Sequence, residues 1–278
     1  MTEQISQKTI DDFGKQWKTY QDNQGYYGSS ELFTDCFSPL VTPGEIREKR
    51  VVDIGSGTGR IVQMLVEHGV SKVLAIEPAS DAFAVLLKNV SNIPDKVTCL
   101  NVTGDRLPAT EDFEYVFSVG VLHHIPEPVP VVKAAYSALK PGGKIAIWVY
   151  GQEGNELYLF FIKPLRKITS LLPHQLLAGL SWILYLPLFA YIQLCKILPL
   201  PLHKYATNVI GRMSPEKQQL IIYDQLNPAY AKYYRRDEVI SLLQQGGFVD
   251  IAVHHRHGYS WTAVGTKPIN KETSSTAT

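Results

Sequence analysis

The stretch Val51–Arg60, VVDIGSGTGR, constrains the fold more than any other part of the chain. A β-branched apolar run stops at three glycines spaced two apart (Gly55, Gly57 and Gly59), and a helix-like segment, Gly59–His68, follows. Glycine reaches left-handed backbone angles without steric cost and lets a ligand approach the main chain closely. The turn therefore reads as a strand-to-helix switch beside a bound molecule. Asp53 lies at the end of the strand, and Glu77 stands eighteen residues after Gly59, at the end of the next apolar run. A carboxylate there is placed to accept hydrogen bonds from both hydroxyls of a ribose. The spacing G-x-G-x-G departs from the dinucleotide fingerprint G-x-G-x-x-G, which sets a pyrophosphate on a helix N-terminus. An acid two residues before the first glycine is poorly placed for phosphate and suits a cation, such as a sulfonium carrying an amino-acid ammonium group.

The rest of residues 48–150 repeats this rhythm. Strands are predicted at Arg50–Ile54, Lys72–Ile76, Val97–Val102, Tyr115–Val119 and Lys144–Tyr150, with helices at Gly59–His68, Ser80–Asn89 and Val129–Leu139. Strands apolar on both faces and alternating with helices imply a parallel sheet covered on each side, with ligands beyond the strand C-termini. After an apolar zone the pattern resumes with a helix at Arg236–Gly246 and strands at Phe248–His254 and Tyr259–Thr266. With 278 residues, 45% hydrophobic and 19% charged, the chain can bury a full core, and disordered or coiled-coil classes are excluded. A net charge of +1 gives no global field for nucleic acid, so no nucleic-acid partner is expected. Cys36, Cys99 and Cys195 lie far apart, which fits a reducing compartment and speaks against a zinc site. The polar N-terminus lacks the apolar core of a secretory signal, and a cytoplasmic protein is expected.

Five stretches together carry a resemblance: VVDIGSGTGR, the Glu77-Pro78 strand end, NVTGDRLP (Asn101–Pro108), FEYVFSVGVLHHI (Phe113–Ile125) and LKPGGKIAIWVY (Leu139–Tyr150). Across most of residues 48–150 the chain resembles the class I S-adenosylmethionine-dependent methyltransferases, closely their UbiE-like, type 11 branch. The resemblance implies an α/β, Rossmann-like seven-stranded fold with S-adenosyl-L-methionine as cofactor. It places Gly55, Ser56, Gly57 and Gly59 under the methionine part with Asp53 at the base, and Glu77 on the ribose. Asp105 would meet the adenine amino group, and Ser118 and Gly120 would lie near the methionine end. Leu139–Gly143 would be the turn before strand five, and Tyr259–Thr266 the reversed seventh strand. Ser56 stands where many relatives carry cysteine.

Methyl transfer needs a base only when the acceptor must lose a proton, and His124 and His123, just past strand four, are the candidates. FGKQW (Phe13–Trp17) with Tyr20, Tyr26 and Tyr27 resembles the branch's lid, whose aromatic faces suit a sulfonium. Tyr223–Arg236, dense in tyrosine and arginine, offers Tyr223 and Arg235 as acceptor contacts. His254–His257 (HHRH) has no carboxylate or cysteine nearby in sequence, and no metal is expected. Leu176–Cys195 has the apolar length of a membrane span, but it sits between strands five and six of one sheet, which must share one side of any bilayer. A monotopic arrangement fits better, with Lys163, Arg166, Lys167, Lys196 and Lys204 at the headgroups. A helical cap over the pocket or a dimer surface are the alternatives.

The expected organisation is a lid (1–47), a cofactor-binding core (48–156), a hydrophobic helical insertion (157–222), completion of the core sheet (223–268) and a disordered tail (269–278). The expected reaction moves a methyl group to an oxygen or carbon of a hydrophobic or lipid-linked small molecule, with membrane-surface contact through 157–202. O-methylation of a sugar or secondary metabolite, and a non-catalytic, membrane-attached cofactor-binding partner, are the rivals.

Overall fold

A computed structural model describes residues 2–269, so most of the tail lies outside the described residues. Three helices precede the sheet: α1 (Thr2–Thr19), α2 (Ser30–Phe37) and α3 (Pro43–Ile46). The core follows as β1 (Arg50–Ile54), α4 (Arg60–Glu67), β2 (Lys72–Ile76), α5 (Ser80–Asn89), β3 (Val97–Leu100), β4 (Phe113–Val119), α6 (Val129–Ala138) and β5 (Leu139–Tyr150). Four helices then intervene: α7 (Glu156–Thr169), α8 (His174–Cys195), α9 (His203–Asn208) and α10 (Pro215–Leu226). Finally α11 (Arg236–Gln245), β6 (Val249–Arg256) and β7 (Ser260–Thr266) complete the chain. Helix α10 runs through the expected boundary at 222/223 as one piece.

The seven strands form one sheet in the order β3-β2-β1-β4-β5-β7-β6, with β7 antiparallel to both neighbours. Side-chain alternation divides its two faces. Val51, Val73, Tyr115, Phe117 and Ala146 pack on α2 and α4, and Val52, Leu74, Val116, Ile145 and Ile147 pack on α6 and α11. Burial on both faces is why these strands read as continuous apolar runs. The order steps outward from β1 in both directions, toward β2 and toward β4. That switch opens a crevice above the strand C-termini, where α1 and α10 form the roof. Strand β5 begins at Leu139, five residues before its predicted start. Leu139 pairs with Phe113 and Lys144 with Tyr115, so the Lys140–Gly143 stretch bulges out of the strand instead of preceding it.

Candidate cofactor and acceptor site

The glycine turn is held from two sides. The backbone amides of Gly55 and Ser56 both donate to the Ile76 carbonyl, at 2.8 and 2.9 Å, tying the turn to the end of β2. Glu77 closes it. One carboxylate oxygen accepts from the Gly57 amide at 2.8 Å and the other from the Ala79 amide at 2.9 Å. A carboxylate has about four acceptor positions, so two remain for a ligand. Gly55, Gly57 and Gly59 all have positive φ (75°, 53° and 84°). A Cβ on Gly55 would stand 2.4 Å from a Val121 methyl, and one on Gly57 would stand 3.2 Å from the Trp17 indole nitrogen. The turn thus needs glycine for its backbone angles and for the space that Val121 and Trp17 take.

Beneath the turn Asp53 is almost fully buried, and one of its carboxylate oxygens has no partner. Burial pushes Asp53 and Glu77 up to about 7, and Glu77 is raised further by Asp53 although its two amide bonds oppose the rise. A carboxylate left short of partners beside a glycine cradle fits a ligand that brings positive charge and hydroxyl donors. For Asp53 the stability consequence has a definite sign. The unfolded chain loses its proton near pH 4 and the folded chain near pH 7, so stability falls across that interval. Asp53→Asn removes this titration. The melting temperature of the variant should gain on the wild type as pH rises from 4 to 8; parallel melting curves would refute the assignment.

The turn opens into a cavity of about 660 Å³, within the ordinary range for ligand sites of roughly 300–1,000 Å³. At one end lie Gly55–Thr58, Glu77 and the Gly104–Asp105 turn, with Asp105 at an exposed rim. Gly120 and His124 lie between the halves, and Trp148, Tyr150, Tyr205 and Tyr259 line the other end. Trp17 and Tyr27 reach the cavity from the N-terminal segment. Asn23 binds the Thr58 hydroxyl at 2.6 Å, a second tie between this segment and the turn.

The two histidines differ. His124 Nδ1 lies 2.8 Å from the Tyr230 carbonyl, which can only accept. Nδ1 therefore carries the hydrogen, and the Nε2 lone pair is free. Burial lowers its pKa to about 4, against the opposing charge of Asp224. His123 is fully buried, has no partner at either nitrogen and stacks 3.8 Å from the Tyr150 ring. Its place is in the packing beneath the cavity.

Other expected residues are held away from the cavity lining. Ser118 follows strand alternation onto the α6 side, buried with its hydroxyl unpartnered. Gly59 faces Leu86 and Val90 of the core. The Tyr20 hydroxyl accepts from Gln219 at 2.9 Å, and the Tyr26 ring lies 3.9 Å from the Arg212 guanidinium. Tyr223 is buried against Tyr20 and hydrogen-bonded to His174. Arg235 is exposed at the start of α11, where its amide donates to Glu238. In the HHRH run His255 stacks on Trp261 and His257 pairs with Asp35, whereas Arg256, which also pairs with Asp35, does line the cavity. Among the described residues no cluster of His, Cys, Asp and Glu is arranged to hold a metal ion.

The polar residues around the Tyr150 hydroxyl were not singled out by spacing. Asp224, on α10, accepts from the Tyr150 hydroxyl at 2.8 Å and from Gln16 of α1 at 2.9 Å. Gln225 donates to the Tyr150 hydroxyl at 2.7 Å and accepts from Tyr158 and Tyr233. Helix α1 and the insertion are thus joined through one carboxylate at the cavity wall.

Residues 52–147 match the family profile described as a methyltransferase domain. The chain carries a class I, S-adenosylmethionine-dependent methyltransferase domain. Over 170 residues it is 25% identical to a ubiquinone biosynthesis O-methyltransferase of Hydrogenovibrio crunogenus, spanning 59% of this chain and 68% of that one. Over 133 residues it is 29% identical to phosphoethanolamine N-methyltransferase 2 of Caenorhabditis elegans, spanning 44% of this chain and only 30% of that one. The crystal structure of a Burkholderia thailandensis 1,6-didemethyltoxoflavin-N1-methyltransferase superposes with a TM-score of 0.55 at 14% identity, covering 96% of this chain and 91% of that one. That likeness establishes the fold. The profile match covers the part of the chain that holds the glycine turn and Glu77.

Proposed function

We propose that this chain transfers the methyl group of S-adenosylmethionine to an oxygen or carbon of a hydrophobic or lipid-linked small molecule, met at a membrane surface through 157–202. The observation that carries this reading is the single cavity with two unlike halves. One part holds the glycine turn closed by Glu77, and another the rings of Trp148, Tyr150, Tyr205 and Tyr259, with His124 between them and Asp224 also on the lining. Residues Gly55–Gly57, Glu77 and Asp105 would hold the cofactor, with Asp53 supplying negative charge beneath the turn. When bound, S-adenosylmethionine supplies a methyl group on a sulfonium, an electrophile that needs no further activation.

His124 Nε2 faces the acceptor's proton, and Asp224 favours the imidazolium that forms when that proton is taken. The aromatic wall excludes water, which would otherwise compete with the acceptor. The O-methyltransferase relative makes an oxygen acceptor the first case to test. The test is incubation with methyl-labelled S-adenosylmethionine and a total lipid extract, followed by separation of the organic and aqueous phases. Label in the organic phase supports the reading, and label confined to water-soluble product refutes a lipid-like acceptor.

His124→Ala should lower turnover by roughly 10²–10⁴-fold, the usual contribution of a general base. Its S-adenosylhomocysteine affinity should be nearly unchanged. With its pKa near 4, His124 is neutral above about pH 5. The acid limb of the rate profile should therefore fall near pH 4, not near the 6.5 of an ordinary histidine. A limb at 6.5, or full turnover in the alanine variant, assigns the base elsewhere.

A further inference from the structure

Helices α7 and α8 bury polar groups among their inward apolar residues and still leave a second apolar face exposed. Helix α7 turns Arg166 and Thr169 inward, α8 turns Ser181 inward, and α10 buries Gln218 and Gln219. These polar groups bond to one another or to the domain. Gln219 donates to the Ser181 hydroxyl at 2.7 Å, and Arg166 donates to the Gln225 carbonyl at 2.8 Å and the Tyr233 hydroxyl at 3.1 Å. The outer faces of α7 and α8, with the residues just after each, are apolar as well, with Phe160 73%, Leu171 77%, Ile183 66%, Leu186 67% and Ile197 81% exposed. A water-facing helix shows the reverse pattern, and exposed apolar patches on this scale mark a docking surface.

Charge identifies the partner. From Leu157 to Pro215 there is no acidic residue, while six residues are basic. Arg166 is taken up by the interior network, a correction to its expected place at the surface, and Arg212 pairs with Glu31. Lys163, Lys167, Lys196 and Lys204 remain exposed, and among the described residues none of them pairs with a carboxylate. An apolar face studded with unpaired lysines matches a negatively charged phospholipid surface.

Helix α8 is long and apolar enough to cross a bilayer, with 22 residues and a mean hydropathy of 1.6 over an 18-residue window. Its packing rules that out. Leu177 and Ala178, near its start, join the cluster around Tyr150, and Ile192 and Cys195, near its end, join the cluster of α9. Both ends are held against the same domain, so the helix lies along the domain surface. Its inner side shares a cluster with Tyr205 and Ile221, both of which line the cavity. One layer of side chains separates the outer apolar face from the acceptor space.

We infer that α7 and α8 lie together in the headgroup region of an anionic phospholipid leaflet, apolar faces inward to the acyl chains, with the four lysines on the headgroups. This rests on the reading of a hydrophobic acceptor met at a membrane and specifies the surface. The leaflet then delivers an apolar acceptor within one side-chain layer of Tyr205.

The test is co-sedimentation of the full chain with vesicles of equimolar phosphatidylglycerol and phosphatidylcholine, beside vesicles of phosphatidylcholine alone. S-adenosylhomocysteine binding is measured by calorimetry on the same samples. The wild type should sediment with the charged vesicles, and less so as salt rises. The pair Lys163→Gln and Lys167→Gln should weaken binding about five-fold per lysine. Leu186→Ser with Phe189→Ser, both on the outer face, should weaken it about ten-fold or more per site. Ligand affinity should be unchanged in all variants. Wild type that ignores charged vesicles, or binds neutral ones equally at high salt, overturns the inference while intact S-adenosylhomocysteine binding preserves the methyltransferase reading. A stable dimer that Leu186→Ser with Phe189→Ser converts to monomer, with no vesicle binding, assigns the face to a second copy and overturns it as well.

Discussion

Gly55→Ala should abolish cofactor binding and unfold the protein several degrees earlier than the wild type. Two separate costs add at this position. An alanine at φ 75° carries roughly 1–2 kcal/mol of backbone strain. Its Cβ would also stand 2.4 and 2.8 Å from the two Val121 methyls, and relieving such overpacking costs about 1–3 kcal/mol. In a chain somewhat above 250 residues each kcal/mol lowers the melting temperature by roughly 2–4 °C. Because the first cost is conformational and the second is a contact, they can be separated. In a Val121→Ala background the contact cost should largely vanish and the strain should persist, which a double-mutant cycle of melting temperatures measures. A Gly55→Ala protein that melts and binds like the wild type would remove the turn from the account.

Glu77→Ala carries the second large expectation. The side chain holds two backbone amides, Gly57 and Ala79, and is 5% exposed, so its removal leaves two buried donors unsatisfied. Each such loss costs about 1–3 kcal/mol. On the proposed reading the acceptors for the ribose go with it, and S-adenosylhomocysteine affinity should drop tenfold or more. Glu77→Gln is nearly isosteric but can accept through only one oxygen, while its amide hydrogens oppose one of the two donors. It should therefore bind almost as poorly as the alanine variant. Calorimetry on both variants checks this, and a glutamine variant with wild-type affinity would mean that shape, not the paired acceptors, is what the cofactor needs.

The fold was legible where local sequence and long-range packing agree. Strands β1 and β2 lie where the β-branched runs end at Gly55 and Glu77, because a strand buried on both faces leaves an unbroken apolar signature. The reversed final strand was legible by resemblance. The bulge at Lys140–Gly143 was not, because pairing of Leu139 with Phe113 is a long-range choice that no local pattern records.

In the site, the turn and Glu77 could be read because their chemistry is fixed by sequence spacing. Asp224 could not. It is one of two acids on a mixed helix, and only the approach of Gln16 and Tyr150, from distant parts of the chain, makes it a wall of the cavity. The tyrosines failed in the opposite sense. Tyr20 and Tyr223 sit in segments rich in aromatics, but helix phase turns them toward each other and away from the cavity. Arg166 was read as a surface charge for the same reason: the side of a helix that faces a neighbour is set by tertiary packing, and here the buried side holds Arg166 and Thr169 beside Leu159 and Ile162.

The measurement that tests the central claim most directly is a calorimetric titration of the unmodified full chain with S-adenosylmethionine, repeated in excess nicotinamide dinucleotide. The account predicts one binding site per chain, lost in Glu77→Ala and indifferent to the dinucleotide. Absence of binding, or competition by the dinucleotide, would contradict it and would mean that the glycine turn serves a different ligand.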